Sequence, residues 1–393
     1  MRISQILLIT LFLSQVAIAQ DERLKGIEYE IEQLMDTFKT VGISVIVVNK
    51  EEVIYSKGFG YRDLEKKKPV TPNTVFGIGS ISKQFMSGLI GIYEGRDSLS
   101  VYDRPAQYID GLDFYMDEMD SLVNIEDLLT HQSGLGNCDA SMVFFPTDDL
   151  LKNAKKVKYL EPTTDITGHW SYSNMGYSLL GTIAQEIGDR PWGDLITSEI
   201  FAPLGMSNSS TSIKATRAND NHSLPYSIRD GQPVEVLFDA LQESGPGGAI
   251  NSSANDMARW AQMLLNAGAH HDQQLIPKDY LERAFSNHVK IRDQFSFDHD
   301  NDILFDSYGY GWSVNNYLGH YRVQHGGALS GFTASLEVYP LDDLGIIVLS
   351  NQHNSNISFH VSDMIARRLL NKSIKPLEEY SVNVSQARPY VSH

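Results

Sequence analysis

Leu24, Ile27, Ile31, Leu34, Met35 and Phe38 recur at three- and four-residue intervals, which predicts one apolar face of a helix ending near Thr40. The period then changes. Gly42 to Val48 is a β-branched apolar run, Asn49-Lys50-Glu51 a turn, and Val53 to Gly60 a second strand. The far end of the chain mirrors this. Strand-like segments at His320 to Gln324, Phe332 to Tyr339 and Gly345 to Ser350 lead into a helix carrying Val361, Met364, Ile365 and Leu369. Five strands and two terminal helices predict an α+β protein with a single antiparallel sheet assembled from both ends of the chain.

Between these ends, Ser82 to about Ala240 reads as mainly helix and loop. Gln84 to Tyr93 is an apolar helical stretch; Met175, Leu179, Leu180 and Ile183 are spaced as a helix in which Gly181 permits close packing; Trp192 to Phe201 and Met257 to Leu265 read similarly. The last follows a glycine-rich turn, Gly245-Pro246-Gly247-Gly248. No repeat of fixed period occurs. The predicted organisation is an α/β lobe from about 20–78 and 241–375 and an inserted helical lobe from about 79–240. An extended tail, Pro376 to His393, has little apolar periodicity.

Residues 1–19 depart from this pattern. Arg2, the apolar run Ile6 to Leu13 and the small-residue triplet Ala17-Ile18-Ala19 before Gln20 have the layout of a secretory signal, and the run is too short to span a bilayer. The expectation is an exported protein, periplasmic or secreted, with no membrane span in the mature chain. A formal charge of −17 argues against nucleic acid and anionic lipid as partners, since Lys66-Lys67-Lys68 and Lys152 to Lys158 are the only locally basic stretches. Cys138 is the sole cysteine, so no intramolecular disulfide can form.

The candidate chemistry sits where a glycine-broken turn, Phe76-Gly77-Ile78-Gly79, runs into the apolar helix. Ser80 and Lys83 form an S-x-x-K pair that does not recur in the chain. Three residues apart on a helix means one face, so the lysine amine would lie beside the serine hydroxyl as its proton acceptor. The positive end of the helix disfavours an ammonium and favours negative charge on the serine oxygen. Gly77 and Gly79 would let the backbone approach a reacting carbonyl closely. In isolation, a capping serine followed by a surface lysine looks the same.

Two further clusters change the picture. Tyr172-Ser173-Asn174 precedes the helix at Met175, and a tyrosine beside such a lysine can shuttle a proton while an asparagine orients the amine; the competing reading is that Tyr172 packs and Asn174 caps the helix. Gln324-His325-Gly326-Gly327-Ala328 leaves one strand-like segment and precedes another. Its glycines can lay backbone along a substrate, an N–H near Ala328 could complete a two-donor oxyanion hole with Ser80, and His325 would add a donor above the site.

Ser80-x-x-Lys83, Tyr172-x-Asn174 and His325-Gly326-Gly327, in this order and at these separations, resemble the three motifs of the serine β-lactamase and penicillin-binding-protein superfamily. The likeness is greatest to the branch holding class C β-lactamases, DD-carboxypeptidases, D-aminopeptidases and small-ester hydrolases. It extends to Leu128 to Leu135, Phe201 to Met206, Tyr308 to Trp312 and Ile346 to Asn351, and so covers nearly all the mature chain. The resemblance implies a β-lactamase/transpeptidase-like fold, Ser80 as acylated nucleophile, and Lys83 and Tyr172 as the general-base system. It further implies substrate binding by Asn174 and His325 with Gly326 and Gly327, an oxyanion hole from the N–H groups of Ser80 and Ala328, a loop organised by His131, and no metal or organic cofactor.

Two departures bear on the substrate. The third motif usually reads Lys-Thr-Gly in β-lactamases of this branch, and here a mostly neutral imidazole replaces the lysine and no hydroxyl follows. Glu161 to Gly168 is longer and more acidic than the turn usual before Tyr-x-Asn, which disfavours anionic substrates by charge. The expected activity is hydrolysis of a small ester or of a D-amino-acid-containing peptide or amide through an acyl-enzyme. The alternatives are a weak β-lactamase, a DD-carboxypeptidase, or a non-catalytic peptidoglycan-binding or scaffolding relative. Metal-dependent hydrolysis has only Asp298-x-Asp300-x-Asp302, which lacks the glycine and glutamate of a calcium loop, and His270-His271.

Overall fold

The central strands form because their residues are apolar on both sides. Val45, Val47, Ile346 and Val348 point to one face, Ile46, Val48, Ile347 and Leu349 to the other, and all are buried. Such runs fit a sheet covered on both faces. In the computed structural model, which describes residues 21–136, 145, 147, 149–238, 245–292 and 302–381, the strands are β1 Gly42–Val48, β2 Val53–Asp63, β3 Lys68–Pro69, β4 Val75–Gly77, β5 Tyr226–Arg229, β6 Gln232–Glu235, β7 Asn251–Ser253, β8 Ala269–His270, β9 Gln273–Gln274, β10 Val289–Arg292, β11 Ile303–Tyr308, β12 Ser313–Tyr317, β13 His320–Leu329, β14 Phe332–Tyr339 and β15 Leu344–Ser350. The main sheet has the order β10-β11-β12-β13-β14-β15-β1-β2-β3, antiparallel throughout.

The sheet therefore has nine strands where the sequence predicts five. The five predicted strands are its centre, and β1 against β15 joins the two ends of the chain with Ile46 opposite Ile347. The four added strands are β3 at one edge and β10 to β12 at the other; β3 and β10 are short, and β11 and β12 mix polar and apolar residues without a regular two-residue alternation. The hairpin β5–β6 is a second correction, within the stretch predicted as helix and loop. It turns at Asp230-Gly231, both at positive φ (51° and 72°), a turn that matches the twist of the flanking strands.

One face of the sheet is covered by α1, Ile27–Phe38, and the C-terminal helix Ile357–Leu369. The other carries α2, Ser82–Glu94, together with the helices Asn174–Gly188 and Ala254–Leu265, and a single core joins them to the sheet. The predicted tail instead begins with a short helix, Leu377–Ser381, whose Tyr380 donates to Asp363 at 2.7 Å. The signal-like residues 1–19, Cys138, Asp298, Asp300 and residues 382–393 lie outside the described residues. Among the described residues no helix is long and apolar enough to cross a membrane.

Helix α2 is anchored by Phe85, stacked on Trp260 of the Ala254–Leu265 helix with ring centroids 4.2 Å apart, and by the Trp260 indole N–H, which donates to Gln84 at 3.3 Å. Trp260 is completely buried. Trp260→Ala is expected to lower the unfolding free energy by about 3–5 kcal/mol. Guanidinium unfolding measures it, and a loss below about 1 kcal/mol would show that the helix is held by other contacts.

Candidate active site

The turn before α2 is fixed by the strands beneath it. β4 pairs with β7, Ile78 N–H donates to Ile250 at 3.1 Å, and the buried Ser82 hydroxyl donates to the Gly79 carbonyl at 2.7 Å while accepting from Ile250 N–H at 3.0 Å. Gly79–Ile81 forms a single 3₁₀ turn that runs directly into α2, so Ser80 stands at its mouth and Lys83 on the first turn of the helix. Gly79 has a φ of 53°, and a Cβ there would lie 2.7 Å from the Ala328 nitrogen. Gly77 is an ordinary strand residue opposite Asn251.

The third motif lies inside β13 rather than beyond its end. His325 is opposite Leu336, Gly326 opposite Ser335 and Gly327 opposite Ala334. Glycines give no strand signal, but this strand needs one: a Cβ on Gly327 would sit 1.8 Å from the Ile78 carbonyl oxygen. Close approach of β13 to the turn brings the backbone of Ala328 beside that of Gly79-Ser80, the arrangement from which two N–H donors can converge.

Lys83 is fully buried. Its Nζ lies 3.2 Å from Ser80 Oγ, 2.6 Å from Asn174 Oδ1 and 2.8 Å from the Gly247 carbonyl oxygen. It also stands over the rings of Tyr172 and Tyr177, 4.7 and 5.3 Å from their centroids. Asn174 does not cap its helix; Ser173 does, accepting from Gly176 N–H at 3.2 Å, which leaves the Asn174 amide turned to the lysine. The glycine-rich turn is brought in by Gly181, where a Cβ would meet Pro246 at 2.1 Å. Ser80, Lys83, Tyr172 and Asn174 thus form one constellation, with Ala328 and His325 on the strand alongside.

His325 is buried, and both its ring nitrogens have protein partners: Nδ1 donates to the Gly326 carbonyl at 2.6 Å, and Nε2 accepts from the Tyr308 hydroxyl at 2.9 Å. Burial, with the Lys83 charge adding to it, pushes the imidazole down to about 3, against a smaller opposing effect of its bond to Gly326. His131 is equally neutral, held well below the usual range by burial and then by Lys83 and His325. Burial also drives the Tyr308 hydroxyl well above its ordinary value.

Sequence reasoning did not single out Tyr177, Gly247 or Tyr308 for the site. Tyr177 was findable, since it follows Asn174 by three residues on the same helix face. The Gly247 contact is made by a carbonyl, which carries no residue-type signal. Among the described residues no group of His, Cys, Asp and Glu is arranged to hold a metal; Asp302 is paired with Arg367 and Lys375, and the His270 and His271 rings lie tilted against each other, centroids 4.2 Å apart.

The two buried histidines set a pH dependence. Each binds a proton near 6.5 when unfolded but resists it when folded, so their contribution to stability is complete above pH 6.5 and is lost as the pH falls, for His325 towards about 3. Asp127, pushed up to about 6 by burial, acts in the opposite sense. The denaturation midpoint is expected to drop between pH 6.5 and 3, and to drop less in His325→Gln; equal slopes in the two proteins would contradict the assignment.

The β-lactamase family model matches residues 28–370. Penicillin-binding protein 4* of Bacillus subtilis (strain 168) is 27% identical over 351 residues, covering 82% of this chain and 72% of that protein. Protein flp of Staphylococcus aureus (strain N315) is 25% identical over 326 residues, covering 80% of this chain and 60% of flp. Among solved structures, the octameric penicillin-binding protein homologue from Pyrococcus abyssi superposes with a TM-score of 0.78 at 25% identity, over 92% of this chain and 80% of that one. The penicillin-binding protein from Bacillus halodurans shares the fold with a TM-score of 0.71 at 21% identity, over 85% and 98%. With its antiparallel sheet, its flanking helices and this constellation, the chain, which spans 60% of the length of flp, belongs to the β-lactamase family, within the serine β-lactamase and penicillin-binding-protein superfamily.

Proposed function

We propose that the chain hydrolyses small uncharged esters, or D-amino-acid-containing peptides and amides, through an acyl-enzyme on Ser80. The observation that carries the mechanism is Lys83 Nζ at 3.2 Å from Ser80 Oγ while Asn174 and Gly247 hold the amine from behind. A neutral amine has two N–H bonds, which these acceptors take, and its lone pair is left for the serine proton. Once the proton has moved, the same acceptors and the faces of Tyr172 and Tyr177 stabilise the ammonium.

The reaction then runs in two halves. The Ser80 oxygen attacks the substrate carbonyl as its proton passes to Lys83, and the N–H groups of Ser80 and Ala328 take the oxyanion, each worth about 3 kcal/mol. Tyr172 relays the proton from Lys83 to the departing alcohol or amine, leaving an ester on Ser80. Water enters where the leaving group stood, gives its proton to the same pair, and releases the acid.

The substrate class rests on His325. Its nitrogens are occupied by Tyr308 and Gly326 and its ring is neutral, so it supplies no cation for a substrate carboxylate. The names of the penicillin-binding relatives favour a second reading, a DD-carboxypeptidase or weak β-lactamase. Residues 1–19 support export to the periplasm or the medium.

The test is steady-state hydrolysis of a short-chain nitrophenyl ester, a D-alanyl anilide and a chromogenic cephalosporin by the purified protein, Ser80→Ala and His325→Lys. The ester or anilide is expected to turn over well and the cephalosporin poorly, Ser80→Ala to lose at least about 10³-fold, and His325→Lys to shift preference towards the anionic cephalosporin. Near-native rates in Ser80→Ala would overturn the mechanism, and fast cephalosporin hydrolysis by the unmodified protein would overturn the substrate class. Failure of the folded protein to turn over any substrate or to react with an acyl or phosphonate probe would instead point to a non-catalytic binding relative.

A further inference from the structure

The loop carrying Tyr172 has no regular secondary structure, yet Tyr172 must be held to a fraction of an ångström if it relays a proton. Its neighbours show how. Ser171 N–H donates to the carbonyl of His131 at 2.8 Å, and Ser173 N–H donates to the Nδ1 of the same histidine at 3.1 Å. One residue thus takes the backbone on both sides of Tyr172. Its ring also lies against the tyrosine, with centroids 4.4 Å apart, and is packed by Tyr177 and Tyr308 at 5.3 and 4.8 Å.

Two features indicate that this grip, and not space filling, is what the histidine provides. His131 is 1% exposed, and its Nε2 has no hydrogen-bond partner among the described residues, so a buried polar atom is tolerated at a cost that a leucine or phenylalanine would avoid. Its backbone is held at a φ of 63°, in the left-handed region where few side chains are comfortable. In that conformation its carbonyl and its ring both reach the loop at Ser171 and Ser173. Accepting at Nδ1 places the proton on Nε2 and requires a neutral ring, which burial beside Lys83 and His325 ensures.

We propose that His131 is the positioning residue for Tyr172, gripping Ser171 and Ser173 with its carbonyl and Nδ1 so that the tyrosine hydroxyl is held in line for proton transfer. The proposal rests on Tyr172 acting as the relay.

A double-variant cycle separates the two ideas. His131→Gly tolerates the positive φ but removes the acceptor, and His131→Asn keeps both, because its Oδ1 falls near the Nδ1 position. His131→Gly is expected to lose about 10²-fold in kcat with little change in KM; His131→Asn is expected to recover most of that. Tyr172→Phe alone is expected to lose about 10²–10⁴-fold, and adding His131→Gly to it is expected to cost almost nothing more, since no hydroxyl remains to be placed.

Losses that multiply in the double variant, when Tyr172→Phe is itself crippled, would overturn the positioning role and leave His131 as general packing. A fully active Tyr172→Phe would overturn the relay, and the placement with it. If His131→Gly does not fold, His131→Gln takes its place: the Gln carbonyl lies one bond further out, so Asn should remain active and Gln should lose kcat, whereas equal activity of the two would contradict the proposal.

Discussion

The site depends on how closely one strand can approach one turn. At Gly327 a single methyl group would overlap the Ile78 carbonyl oxygen, and at Gly79 it would press on the Ala328 nitrogen. Without those two glycines β13 would stand away from the 3₁₀ turn, and the backbone of Ala328 would no longer lie beside that of Gly79 and Ser80. The approach is enforced from below, where Ser82 and the β4–β7 pair hold the turn, and from above by pairing of β13 with β14. An exposed loop could not be kept at this separation; two elements embedded in one core can.

The same packing explains the electrostatics. Lys83 is buried with its acceptors in place, so the amine beside Ser80 has its orientation already set. Burial keeps both imidazoles neutral, and Lys83, in the ammonium form it takes on receiving the serine proton, adds to that effect. A neutral His325, committed to Tyr308 and Gly326, then forms an uncharged wall of the site. Substrate preference in this reading follows from burial around the lysine as much as from the identity of residue 325.

Much of this was legible in the chain because the central strands and terminal helices are apolar in a simple period. Ser80-x-x-Lys83 was legible for a related reason: three residues along a helix fix a face, whatever the tertiary context. What could not be read were contacts made by backbone atoms or across the fold. The Gly247 carbonyl reaches Lys83 only because Gly181 admits Pro246. Strands β11 and β12 have no regular apolar alternation and are defined by their neighbours, and the Gly326-Gly327 strand is defined by what must fit against it. The β5–β6 hairpin is different, since Asp230-Gly231 carries the signal for it in the sequence itself. Asn174 shows the opposite error: the amide that could have capped a helix is displaced by Ser173 and serves the lysine.

The claim that joins these observations is that Ser80 carries the acyl group during turnover. Intact-mass measurement of the protein quenched in acid while it hydrolyses a short-chain nitrophenyl ester tests it directly. A mass increase equal to the acyl group, located by peptide mapping to Ser80 and absent from Ser80→Ala, is the result this account predicts. Sustained turnover in which Ser80 remains unmodified, with the acyl group on another residue or on none even when release is slowed, would contradict it.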